Sequence, residues 1–272
     1  MKHFYYIFLL VCCLLPLQDA QAYVRSKTSA GYELFWNNTT VRYHINDTVP
    51  AGIDKNGAIQ AIQESFAPWA ALDCSCITFL YQGVTKDVQL GYDNSNPSQN
   101  KNIVLFRTDS WSHGRSAVAV TSTVFQQRTG EIVAFDMEIN SAKFVFSLDG
   151  KPRGSRSTID LRNTLTHEVG HALGLDHSQE RESTMFASAP PNETKKRDLH
   201  QDDIDGLCHV YQKTQSGCKI ARSLNIQPAS GCGCQISRND SHTTRGLQTL
   251  GILLLLSLLV IFFRRKKQQI KP

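Results

Sequence analysis

Two apolar periodicities alternate along the 272-residue chain. Residues 41–45 (Val-Arg-Tyr-His-Ile) alternate apolar and polar and predict a strand. Ile53, Ala58, Ile59, Ile62, Phe66 and Trp69 recur at helical spacing and predict a helix over 53–71. Short apolar runs at 77–81, 88–92 and 102–106 predict three further strands. A Val- and Thr-rich strand at 117–125 leads through a turn at Thr129-Gly130 into another at 131–139. A helix over 161–173 stops at Gly174, and a last helix covers 202–211. No internal repeat is present. Strand, helix, several strands and two helices predict a single domain of the α/β class, or α+β in some schemes, over 23–213. Residues 214–246 mix Ser, Gly, Pro and charge, which predicts a linker or stalk.

The two ends are patterned differently. Residues 1–22 place Lys2 before an apolar run and close on Ala20-Gln21-Ala22, the plan of a secretory signal peptide cut before Tyr23. In 247–263 the only polar residues are Gln248, Thr249 and Ser257, and Arg264-Arg265-Lys266-Lys267 follow at once. That length is the short limit for a transmembrane helix, and the cations predict a basic cytoplasmic tail over 264–272. The expected protein is exported and anchored by a single span at the cell envelope or cell surface. Gly231-Cys232-Gly233-Cys234, the apolar stretch and the Arg-rich end together resemble the tripartite C-terminal sorting signals of some bacterial surface proteins. Such signals are cut near the Cys, so the resemblance implies processing or release. The bland alternative is that Cys232 and Cys234 form disulfides beside a permanent anchor.

Charge and composition narrow the classes further. Hydrophobic residues make up 41% and charged residues 19%, which excludes wholesale disorder. The formal net charge of +5 lies in the tail, because residues 23–246 carry 23 basic and 23 acidic side chains. A neutral body predicts no nucleic-acid partner, and the expected form is a monomer. Six Cys follow the signal segment, and an exported chain predicts disulfides among them. Bridges from Cys74 and Cys76 to Cys208 and Cys218 would pin the last helix to the sheet; a zinc cluster of four Cys is the alternative.

The chemistry is concentrated in 167–177, His-Glu-Val-Gly-His-Ala-Leu-Gly-Leu-Asp-His. Positions four apart share a helix face, so His167 and His171 can present ring nitrogens to one metal ion. Gly174 permits a left-handed turn that brings back His177 as a third ligand. Three imidazoles leave a fourth tetrahedral position open, as in a catalytic Zn2+ site. Glu168, one residue along, reaches the water beside the metal and suits a general base for amide hydrolysis. Two rival readings are a zinc-binding surface adhesin or binding module without turnover, and a zinc family in which a distant Glu replaces His177.

This segment resembles the metzincin metalloproteases, whose extended motif is followed by a methionine turn. Ser183-Thr184-Met185-Phe186 fits that turn, which implies Met185 as a hydrophobic base beneath the zinc. Within metzincins the chain is similar to the matrixins over about 39–212, through 40–45, 59–69 and 199–207. The resemblance implies a zincin-like fold with a mixed twisted sheet and about three helices. It also implies one catalytic Zn2+, a protein or peptide substrate, and 117–125 as the edge strand that binds it by β-augmentation. Between the predicted signal cut and the first strand there is no Cys, so latency by a cysteine switch is not expected. Before His167 the body has only His44 and His113, too few for a second, structural zinc. Asp136 and Glu138 fall where related domains bind Ca2+, but two carboxylates are not a cage, and they read as a solvated strand face.

Overall fold

A computed structural model describes residues 22–222. The N-terminal half runs β1 (Val24–Arg25), β2 (Phe35–Trp36), β3 (Thr40–Asn46), helix α1 (Lys55–Ala70), β4 (Thr78–Thr85), β5 (Ile103–Arg107), β6 (Ala119–Phe125) and β7 (Glu131–Asn140). It continues with β8 (Phe146–Ser147), β9 (Ile159–Asp160), α2 (Leu161–Ala172), β10 (Leu175–Asp176), α3 (Gln201–Val210), β11 (Tyr211–Thr214) and β12 (Gly217–Ile220). The central six-stranded sheet has the order β2-β7-β5-β3-β4, all parallel, with β6 antiparallel on β7. This twisted, mainly parallel sheet with three helices is the expected α/β architecture. Both β4 and β6 are edges, and β6 matters for the site.

Alternation explains the layering. Val41, Tyr43 and Ile45 of β3 point into the core, where Tyr43 stacks on Phe66 of α1 with ring centroids 4.1 Å apart. The α1 stripe buries Ala58, Ile62, Phe66 and Trp69. Asp54 caps the helix by accepting from the Gly57 N–H at 2.6 Å. Trp69 is fully buried and its indole Nε1–H donates to the Thr166 carbonyl at 2.9 Å, locking α1 to α2. Burying one such side chain stabilises the fold by about 1.5–3 kcal/mol.

Three expectations need correction. Residues 88–92 are not a strand. Their amides are satisfied by carboxylates instead of a ladder: Gln89 N–H donates to Asp87, and Gly91 N–H donates to Asp136 at 2.7 Å. Asp136 and Glu138 are not a solvated face but are 3% and 7% exposed. Asp136 also accepts from the Ile103 N–H, and burial pushes its carboxyl up to about 6 despite those donors. Glu138 is paired with the Arg107 guanidinium and with His113 at 2.9 Å. Finally, the segment read as the start of a linker begins inside the hairpin β11–β12, which continues directly from α3.

That hairpin is stapled. Cys74 is bridged to Cys208 of α3, and Cys76 to Cys218 of β12. The two bridges tie the α1–β4 connection to the last helix and to the hairpin. The signal segment 1–22, except Ala22, the Gly-Cys motif, the 247–263 stretch and the basic tail lie outside the described residues. Among the described residues no helix is long and apolar enough to cross a membrane.

Candidate metal centre

Helix α2 is fixed at both ends by side chains. Asp160 caps its start by accepting from the Asn163 N–H at 2.8 Å, and Arg197 pairs with the same carboxylate. At its end the orphan carbonyls of Ala172 and Leu173 accept from the Trp36 indole Nε1–H at 2.8 Å and the Tyr211 hydroxyl at 2.9 Å. Leu165, Val169 and Ala172 are buried in the core, and His167, Glu168 and His171 line a cleft of about 650 Å³.

Gly174 then reverses the chain. Its φ is +88°, and a Cβ there would lie 2.7 Å from the Leu34 carbonyl oxygen, so only glycine fits. Strand β10 pairs with β1 and delivers His177 to the same cleft. The Nε2 atom of His171 lies 3.2 Å from that of His167 and 3.3 Å from that of His177. A tetrahedral ion about 2.05 Å from each nitrogen needs ligand nitrogens about 3.3 Å apart. The three imidazoles therefore fit one zinc ion.

Their protons are also arranged. His167 Nδ1–H donates to the Thr184 carbonyl at 2.7 Å, and His171 Nδ1–H to the Leu175 carbonyl at 2.9 Å. A carbonyl can only accept, so the Nε2 lone pairs of these two rings are left for a metal. Burial holds His167 well below the ordinary imidazole range, and burial with the neighbouring His171 lowers His177. Both effects favour the neutral, ligating form.

Glu168 is 6% exposed and lines the cleft. Its Oε2 accepts from the Thr121 hydroxyl at 2.6 Å, reaching across from β6. Met185 lies beneath α2: a Cβ on Gly170 would come within 2.2 Å of its sulfur. The turn around Met185 is held by Asp203, fully buried on α3, which accepts from the Ser183 hydroxyl and from the backbone N–H of Thr184, Met185 and His200.

All five residues marked by the sequence pattern are thus in one place: His167, His171 and His177 converge, Glu168 flanks them, and Met185 underlies the helix. Thr121, Gly170 and Asp203 were not singled out. Asp203 sits in the segment that resembles the last matrixin helix, but nothing there signals a hub for a turn 20 residues upstream. Thr121 is one of three Thr and Ser residues in its strand, and only the packing of β6 on α2 distinguishes it.

A family model described as matrixin matches residues 35–212. The chain belongs to the matrixin family. Among curated proteins, this matrixin is similar to metalloendoproteinase 1-MMP of Arabidopsis thaliana, 25% identical over 193 residues, or 68% of this chain and 48% of that protein. It is 24% identical to human neutrophil collagenase over 176 residues, covering 65% of this chain and 33% of the relative. A shorter stretch of 55 residues is 47% identical to metalloendoproteinase 1 of Glycine max, 20% of this chain and 18% of that protein. The matched region of this matrixin spans at most about half the length of these relatives. The family implies bound zinc and a peptidase site, and the His triad is where this matrixin carries the matching donor set.

Proposed function

We propose that this matrixin is an exported zinc-dependent endopeptidase that hydrolyses peptide bonds in extended protein or peptide substrates, with Glu168 as general base. The observation that carries the reading is the convergence of three ring nitrogens, with His171 Nε2 at 3.2 and 3.3 Å from the other two and all three within 4.8 Å, beside a buried carboxylate that lines the cleft. Zinc held by His167, His171 and His177 supplies a Lewis acid that acidifies water and polarises a carbonyl. The protein does the rest. Strand β6 borders the cleft and, among the described residues, pairs only with β7, so an extended peptide can add to its other edge through backbone hydrogen bonds. Glu168 takes the proton of the attacking water and passes it to the leaving amine. Thr184 and Leu175 carbonyls keep two of the ligand rings oriented.

The leader at 1–22 and the apolar stretch at 247–263 support a domain held outside the membrane by a C-terminal tether, with the Gly-Cys motif as the site of processing. Terminal sequencing of the mature protein, with membrane fractionation, tests that part. The catalytic reading is tested by digestion of unfolded casein. Cleavage that a zinc chelator abolishes and added zinc restores is expected; stoichiometric zinc with no turnover of any unfolded substrate overturns it in favour of a binding module.

A further inference from the structure

The cleft continues past the His triad into a side pocket between α2 and the segment after Met185. Its walls include Asn163 and Ala187–Pro190, and two oppositely charged side chains, Glu193 and Lys196, line it. Lys196 is only 4% exposed. Its ammonium donates to the Phe186 carbonyl, which occupies one of three N–H groups, and it makes no ion pair within 4.0 Å among the described residues. Glu193 lies close enough to attract it electrostatically without forming such a pair. The Oε1 of Glu193 is itself buried and has no hydrogen-bond partner. The pocket is therefore lined by a buried cation with N–H groups to spare and by a partly buried carboxylate that has an unbonded oxygen.

An aliphatic side chain entering here would cover both groups and bond neither, which is unfavourable for buried charges. A lysine or arginine would meet the Lys196 ammonium, and an aspartate or glutamate the Glu193 carboxylate. A carboxamide avoids both penalties, because its oxygen accepts from Lys196 and its NH2 donates to Glu193. We propose that Glu193 and Lys196 make this pocket select a neutral hydrogen-bonding side chain, the carboxamide of glutamine or asparagine, beside the bond that is cut. The inference rests on the peptidase reading and names its substrate class. Sites built to bond a polar group reject analogues that lack it far more strongly than apolar pockets reject an extra methylene.

The test is cleavage-site profiling of the zinc-loaded full chain with a peptide library that varies the residues on either side of the scissile bond. At one of those positions Gln or Asn is expected to exceed Leu by about 10- to 100-fold in kcat/KM. Glu193→Gln removes the largest of the negative charges that act on the cation and is expected to move that preference toward Asp and Glu. Lys196→Met is expected to move it toward Lys and Arg. Glu193→Gln is isosteric and its side chain is only partly buried, so it gives an answer even where the buried Lys196 variant fails to fold. Cleavage dominated by Leu, Phe or Met, with a profile that Glu193→Gln leaves unchanged, overturns the inference alone. No cleavage of any peptide by the zinc-loaded wild type overturns the peptidase reading and this inference together.

Discussion

Glu168 and Thr121 divide chemistry from positioning at the scale of single residues. Glu168→Ala removes the proposed base and leaves the three histidines in place. Its kcat/KM is expected to fall by about 10²- to 10⁴-fold with zinc content unchanged, measured by peptide hydrolysis and metal analysis. Thr121 acts through the 2.6 Å hydrogen bond that holds the carboxylate. Thr121→Val is expected to lower kcat by about 5- to 10-fold with KM nearly constant, and Thr121→Ser to restore it. Failure of serine to rescue would make the residue a packing group only. Asp136 gives a pH signature away from the metal. Its carboxyl is raised from 3.8 to about 6 in the folded state. Its contribution to stability is therefore complete below pH 3.8 and is lost as pH rises through about 6, by about 3 kcal/mol in total. The stability of Asp136→Asn relative to wild type is thus expected to improve between pH 4 and pH 7, as followed by paired thermal melts.

Elements place these residues. The proposed third ligand, His177, depends on the unit of α2, Gly174 and β10, because the helix alone can present only His167 and His171 to one side. Gly174→Ala forces an L-residue into left-handed backbone, at about 1–2 kcal/mol, and drives its Cβ to 2.7 Å from a backbone oxygen that cannot swing away. A drop in Tm on the order of 5–10 °C is expected, together with weaker zinc binding read by chelator competition. An alanine variant with wild-type Tm and zinc affinity would show that the turn tolerates a side chain. On the opposite side of β7, Arg107 and His113 converge on Glu138 and fasten the segment that leads into β6. The His113 contact thus adds to the pairing that already holds the entry of the edge strand, where the Asn140 N–H donates to the Val118 carbonyl and its side-chain amide to the Ala117 carbonyl.

Across the whole molecule, two disulfides and one buried carboxylate join parts of the chain that are far apart in sequence. Cys74–Cys208 spans 134 residues and Cys76–Cys218 spans 142. Closing loops of that length stabilises by about 2–5 kcal/mol per bridge. The Cys76→Ser/Cys218→Ser double variant is expected to lose on the order of 10 °C in Tm, and intact mass is expected to rise by at least four hydrogens when the wild type is reduced. An unchanged mass would mean that the cysteines are free in the mature protein. Asp203 extends the same linkage from α3 to the turn around Met185, which supports α2. The last helix is therefore mechanically continuous with the His triad.

The clustering of three histidines, the adjacent acid, the methionine beneath the helix and the fold class were all legible in the chain, because each depends on residue type at short fixed spacing. Helical periodicity sets His167 against His171, and glycine chemistry permits the return to His177. Features that depend on distant contacts were not legible. The run at 88–92 has a strand-like composition, yet Asp136 and Asp87 take its amides. Asp136 and Glu138 have the alternation of an exposed face, yet a loop and an arginine cover them. Thr121, Asp203, Glu193 and Lys196 are ordinary polar residues until packing brings them against the helix and the cleft. Local spacing determined which metal chemistry this matrixin can carry. Only tertiary structure decided what surrounds the site, because burial, and with it the need for a partner, belongs to the fold and not to the local sequence.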